Sequence, residues 1–180
     1  MRSSRVGGVL ALVLSVVGQT PASTAASPGG YLRPVRGPII RHFEPPPTPY
    51  SAGHRGIDMA VSAGTTVVAA QDGVVTFAGF VAGERYVSID HLDGIRTTYS
   101  YLSAIVVTVG RNVTRGEPIG ATGTGHPSST QPPHLHFGAR VGDEYIDPEA
   151  LLLDGLRRDL SQAIRLIPIP SPPVAHAAAR

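Results

Sequence analysis

The sequence predicts an all-β protein, a small antiparallel β-sandwich or barrel-like domain with a short C-terminal helix. Three observations carry this. Between Gly64 and Ile146 the chain is a series of short β-branched runs broken by glycine, with turns about every ten residues. Gly (21) and Pro (17) are abundant in a chain of 180 residues, which favours short elements joined by many turns. No long amphipathic helical period appears before the C-terminal tail. In order, Thr65–Ala70 reads as a strand ahead of a turn at Asp72-Gly73, and Val74–Gly79 follows it. Tyr86–Ile89 alternates in front of Asp93-Gly94, a hairpin dipeptide, and Ile95–Tyr101 and Ile105–Val109 continue the series.

The ends differ from this middle. Residues 1–26 have the makings of a signal peptide: Arg2 and Arg5, an apolar run from Val9 to Val17, then small residues in PASTAA for cleavage after Ala25 or Ala26. The apolar run falls short of the roughly 20 residues a membrane-spanning helix needs. The expectation is export to an extracellular location, with no stable membrane anchor after cleavage. Residues 27–35 read as a linker and 36–154 as the domain. Residues 155–180 read as a short helix, with Leu156, Leu160 and Ile164 at helical spacing, and then a Pro/Ala-rich flexible tail.

Composition excludes several classes of function. There is no cysteine, which rules out a disulfide scaffold, a Cys-ligated zinc finger, an iron–sulfur cluster and a Cys nucleophile. All 15 basic residues are Arg, and two of them lie in residues 1–26. Residues 36–154 hold 8 Arg against 12 acids, a net charge of −4, so no basic stripe marks a nucleic-acid partner. A monomer is the default expectation.

Two short motifs carry chemistry. The first is His54-x-x-x-Asp58 within GHRGIDMA; the second is His134-x-His136 within PPHLHFGAR. On a strand, residues i and i+2 share a face, so His134 and His136 project together while Leu135 turns to the core. Zinc takes nitrogen and oxygen ligands, and a catalytic site keeps three protein ligands with water in the fourth position. Two His and one Asp meet that count and leave one His over as a proton acceptor for the bound water. Spacing alone does not choose between His134 and His136 as the ligand.

These motifs sit among further segments in a fixed order: AAQDGVV, SIDHLDGIRTTYSYLSAI, GRNVTRGEPIGATGTG and the closing YIDPEALL. Together they resemble the lysostaphin-type (LytM-like) zinc endopeptidases of peptidoglycan, over about Val35 to Leu152. The resemblance implies a small antiparallel domain of the duplicated-hybrid-motif kind. It implies one zinc held by His54, Asp58 and His136, with His134 as catalytic histidine and peptidoglycan peptides as substrate. The family usually reads Y-x-H-L where this chain has Tyr99-Ser100-Tyr101-Leu102. Tyr101 therefore stands where the family has a histidine, and its hydroxyl is a candidate donor to an oxyanion, a role worth about 2.7–4 kcal/mol of barrier. The alternative is a wall-binding or regulatory module on the same fold, impaired by that replacement. His91 is expected to be structural, and His126, in the loop before His134, to lie in solvent or at the groove rim. His42 falls in an irregular flank.

Overall fold

The structure is a computed structural model that describes residues 30–48, 51–127 and 129–165. The expected signal peptide and the Pro/Ala-rich tail lie outside the described residues. The strands are β1 (Ile39–Arg41), β2 (Ile57–Ala60), β3 (Thr66–Val68), β4 (Gly73–Val81), β5 (Glu84–His91), β6 (Ile95–Ile105), β7 (Asn112–Val113), β8 (Pro118–Thr122), β9 (His134–Val141) and β10 (Glu144–Ile146), followed by one helix, α1 (Pro148–Arg165). They form an antiparallel sheet in the order β1-β2-β9-β6-β5-β4-β7; β10 adds to β9, and β8 links β3 to β6. The all-β reading is correct. No described helix is long and apolar enough to cross a membrane.

Alternation along the central strands builds the core. Ile57 and Met59 of β2, and Leu135 and Phe137 of β9, are fully buried together with Ile89 and Tyr99. Each such side chain contributes about 1.5–3 kcal/mol through burial. The intervening residues, Asp58, His134 and His136, are thereby left for the other face.

Two local readings differ from what is observed, and one between them holds. Asp72-Gly73 does not close a hairpin, because β3 pairs with β8 while β4 pairs with β5 and β7. Asp72 is a hydrogen-bond hub instead, its carboxylate accepting from the Arg115 amide at 2.6 Å and its carbonyl from His91 Nδ1 at 2.8 Å. Asp93-Gly94 does close the β5–β6 hairpin, with Gly94 at φ 82°. Ile105–Val109 is not a separate strand: β6 runs on to Ile105, and Val106 and Val109 are exposed around a buried Val107.

The helix begins at Pro148, seven residues before the expected start. Proline suits the first helical position, and the Asp147 carboxylate accepts the Glu149 amide at 2.9 Å as a cap. Leu152 docks on the core with Leu151 beside it, while Leu156 and Leu160 stay exposed. Helical spacing thus located a helix, and the residues that dock it lie one turn before the leucines that showed the spacing. The stretch read as a linker is packed where it is described, since Tyr31 and Val35 belong to the core. The Tyr31 hydroxyl donates to both Asp93 carboxylate oxygens, at 3.0 and 2.9 Å.

His91 is structural, as expected. Its Nδ1 donates to the Asp72 carbonyl and its Nε2 lies 2.8 Å from the Thr97 hydroxyl. Burial holds its pKa below the ordinary 6.5, despite the opposing pull of the Asp72 carbonyl and nearby acids. The unfolded chain therefore binds this proton first as pH falls through about 6.5, and folding loses stability from there downward. Urea midpoints of the metal-free protein at pH 7.5 and 5.5 should fall further apart in wild type than in His91→Gln. Equal separations would remove His91 as the titrating group.

Candidate metal centre and cleft

Strand pairing assembles the site. β2 and β9 run antiparallel with Asp58 opposite His136 and Ala60 opposite His134, so all three polar side chains rise from adjacent positions on one face. His54 joins them from the loop before β2, held by reciprocal backbone bonds with Glu44 at 2.8 and 3.0 Å. Gly56 lets this loop approach, because a Cβ there would stand 2.5 Å from the Phe137 carbonyl and 2.9 Å from the His136 ring.

Three atoms converge. His54 Nε2 lies 3.1 Å from Asp58 Oδ1 and 3.1 Å from His136 Nδ1, and His136 Nδ1 lies 2.8 Å from Asp58 Oδ1. His54 Nδ1 donates to the His42 carbonyl at 2.7 Å, which turns Nε2 into the group. Donors at 2.0–2.1 Å from a tetrahedral zinc are about 3.3–3.4 Å apart. The group is close to that spacing, and its two imidazoles and one carboxylate are the donor set zinc accepts. Among the described residues these three form a cluster that could hold a metal ion. Burial by itself would raise the Asp58 carboxyl, but hydrogen bonds from His136 and His54 outweigh it and hold the carboxyl well below the usual carboxylate range. Asp58 is ready to bind a cation without first losing a proton.

His134 is placed differently. Its side chain is buried, its Nδ1 donates to the Pro132 carbonyl at 2.8 Å, and its Nε2 lies 3.9 Å from Asp58 Oδ2. With Nδ1 carrying the proton, neutral His134 has an acceptor nitrogen on the site side. Gly125, at φ 89°, lies against this ring; a Cβ there would be 2.3–2.7 Å from three ring atoms. Spacing left His134 and His136 equivalent, and the hydrogen bonds distinguish them.

Tyr101 lies at a break in β6. The strand pairs with β9 through Ser100 and with β8 from Leu102, and the β5 register shifts across the same point. Tyr101 has φ 63°, left-handed backbone that non-glycine residues rarely adopt. Bulges of this kind re-aim a side chain, and here the ring lies with centroids 6.1 Å from His136 and 6.5 Å from His134. Burial first, and then Tyr86 beside it, push the hydroxyl pKa up, so Tyr101 keeps its O–H.

All five residues line a cleft of about 680 Å³, with Arg41, Arg55, His126 and Gln131 also on its walls. Sequence reasoning missed the carbonyls of His42 and Pro132, which set the imidazole orientations. Backbone acceptors leave no residue-type signal, so no pattern could have found them. His126 is exposed and also lines the cleft, so its two expected locations are one.

Comparison with known proteins decides the family. The profile of Peptidase family M23 matches residues 52–148, more than half of the chain. The chain belongs to peptidase family M23. The M23 family is zinc-dependent and its peptidases act on peptidoglycan. This M23 chain is 38% identical over 169 residues to an uncharacterized Mycobacterium tuberculosis protein, covering 91% of this chain and 64% of that one. It therefore spans less than two thirds of the length of that relative. It is 42% identical over 101 residues to the DD-carboxypeptidase/endopeptidase Mpg of Neisseria meningitidis, covering 56% of this chain and 23% of Mpg. Among solved structures, the catalytic domain of the antimicrobial peptidase lysostaphin from Staphylococcus simulans matches with a TM-score of 0.58 and 30% identity, covering 65% of this chain and 92% of that domain.

Proposed function

We propose that this M23 chain is an exported zinc-dependent endopeptidase that hydrolyses peptide bonds of cell-wall peptidoglycan. The observation that carries the reading is the pairing of two units: three donor atoms 2.8–3.1 Å apart, and beside them a fourth group, His134, with its acceptor nitrogen toward the cleft. His54, Asp58 and His136 would hold one zinc. Zinc at that point supplies a water that ionises near neutral pH and polarises the carbonyl of the bond to be cut. His134 Nε2 takes the proton of the attacking water and passes it to the amine as the C–N bond breaks. The Pro132 carbonyl keeps Nδ1 protonated and the ring in register throughout. The Tyr101 O–H donates to the carbonyl oxygen as it gains negative charge. Residues 1–26 serve as the export signal, residues 36–154 as the catalytic domain, and the protein works as a monomer.

Mass spectrometry of muropeptides tests this. Isolated peptidoglycan incubated with residues 27–180 and zinc should yield new amine-terminated fragments, absent with His134→Ala and absent without zinc. Zinc uptake without cleavage of any wall type would transfer the protein to a binding or regulatory role.

Gly125→Ala gives an independent check on His134. The added methyl cannot coexist with the ring where it stands, so His134 must yield, whereas none of the atoms nearest that methyl belongs to His54, Asp58 or His136. Zinc content should stay at one per chain and cleavage should fall by about 10² or more, on the scale of a lost general base. An unchanged rate would show that the position of His134 is unimportant.

A further inference from the structure

Tyr101 shares its place in the cleft with a second ring. His126 meets it edge-on, with centroids 5.3 Å apart and planes at 77°. His126 comes from the segment between β8 and β9, is exposed, and lines the same cleft as the ligand group. Tyr101 and His126 thus bring a phenol O–H and an imidazole N–H to neighbouring positions, one ring away from His136 and His134.

We propose that His126 is a second hydrogen-bond donor of the active site, acting with Tyr101 on the carbonyl oxygen of the bond being cut as that oxygen becomes negative. The inference rests on the peptidase reading above and assigns a further catalytic residue to it. Its physical basis is preorganisation: donors aimed at a developing charge cost no reorganisation when the charge appears. The perpendicular contact with Tyr101 holds the imidazole plane in a defined orientation, and Tyr101 is itself fixed by its bulge. Two donors of different chemistry then share one oxygen, as paired N–H groups do in an oxyanion hole.

Three substitutions separate the donor from the packing. His126→Phe keeps a ring against Tyr101 and has no N–H; His126→Gln has N–H donors and no ring; His126→Ala has neither. Muropeptide cleavage should lose at least about tenfold in kcat, with KM within about twofold, in the Ala and Phe variants, while Gln retains most of the rate. The same order should appear without turnover, as the Kd of zinc-loaded protein for phosphinic pseudopeptides of the D-Ala-D-Ala and Gly-Gly links, tetrahedral mimics of the attacked carbonyl. Zinc per chain, read by elemental mass spectrometry, should be equal in all four proteins. A Phe variant that cleaves and binds like wild type, or a Gln variant that falls as far as Ala, overturns the inference while wild-type cleavage leaves the peptidase reading standing. Wild-type protein that takes up zinc yet neither cleaves muropeptides nor binds either phosphinate removes the peptidase reading, and His126 with it.

Discussion

His134→Ala is expected to abolish measurable cleavage while the protein still binds one zinc per chain. The two readouts part because His134 stands outside the proposed ligand triangle: its Nε2 lies 3.9 Å from Asp58 Oδ2, whereas the donor atoms of His54, Asp58 and His136 lie within 3.1 Å of each other. Loss of a positioned general base costs about 10²–10⁴ in rate. The side chain is buried, so truncation also opens a cavity, and a second variant is needed to separate chemistry from packing. His134→Asn serves. Its amide N–H can donate to the Pro132 carbonyl, and the side chain cannot accept a proton at neutral pH. Both variants should be equally inactive, with the Asn protein closer to wild type in its melting temperature. Loss of zinc in both would place His134 among the ligands and reassign the roles of His134 and His136.

Asp58→Asn should act on the metal itself. The substitution keeps the shape of the side chain and removes the only carboxylate of the triangle, leaving two neutral imidazoles to hold a dication. Outer partners of a metal site typically contribute 10–100-fold in affinity. Loss of a direct charged ligand should exceed that, so competition with a chelator should show zinc affinity down by more than about 10² and cleavage lost in proportion. Stability of the metal-free protein carries a second signature. The Asp58 carboxyl is held below its ordinary range in the folded state, so its contribution is complete above the unfolded value near 3.8 and is lost as pH falls through the folded one. The Asn variant lacks that acid-side loss. Wild-type zinc affinity in Asp58→Asn would exclude Asp58 as a ligand.

Much of this was legible in the chain, for identifiable reasons. The face shared by His134 and His136 follows from a two-residue period that no tertiary context can change once β9 is a strand. The Asp93-Gly94 hairpin follows from the left-handed backbone that Gly94 provides. Asp72-Gly73 carried the same dipeptide and misled, because β3 finds its partner in β8, far along the sequence. Ile105–Val109 misled for a related reason: β-branched residues fit a half-buried surface, and there the surface is a loop with one inward valine. The approach of His54 to Asp58 was available from spacing, but its approach to His136 depends on the β2–β9 register, and registers between distant strands leave no local mark. The helix start was readable from Asp147-Pro148, a cap and a proline, and was masked by the more regular leucines after it.

The backbone at Tyr101 has a consequence for how such a site can change. Where that side chain enters the cleft is set by a left-handed residue between two pairing partners of β6, and a bend of that kind is made by the main chain rather than by the phenol. Direction and chemistry are therefore separately adjustable at this position. The sheet works as a socket: it presents whatever side chain occupies residue 101 to the same volume, at a fixed conformational cost of order 1–3 kcal/mol for any residue with a Cβ. Exchange of one polar group for another there rewrites the hydrogen-bonding character of the cleft without a change in strand order, register or core. A scaffold so built can trial new reactivity one substitution at a time, with the fold held constant.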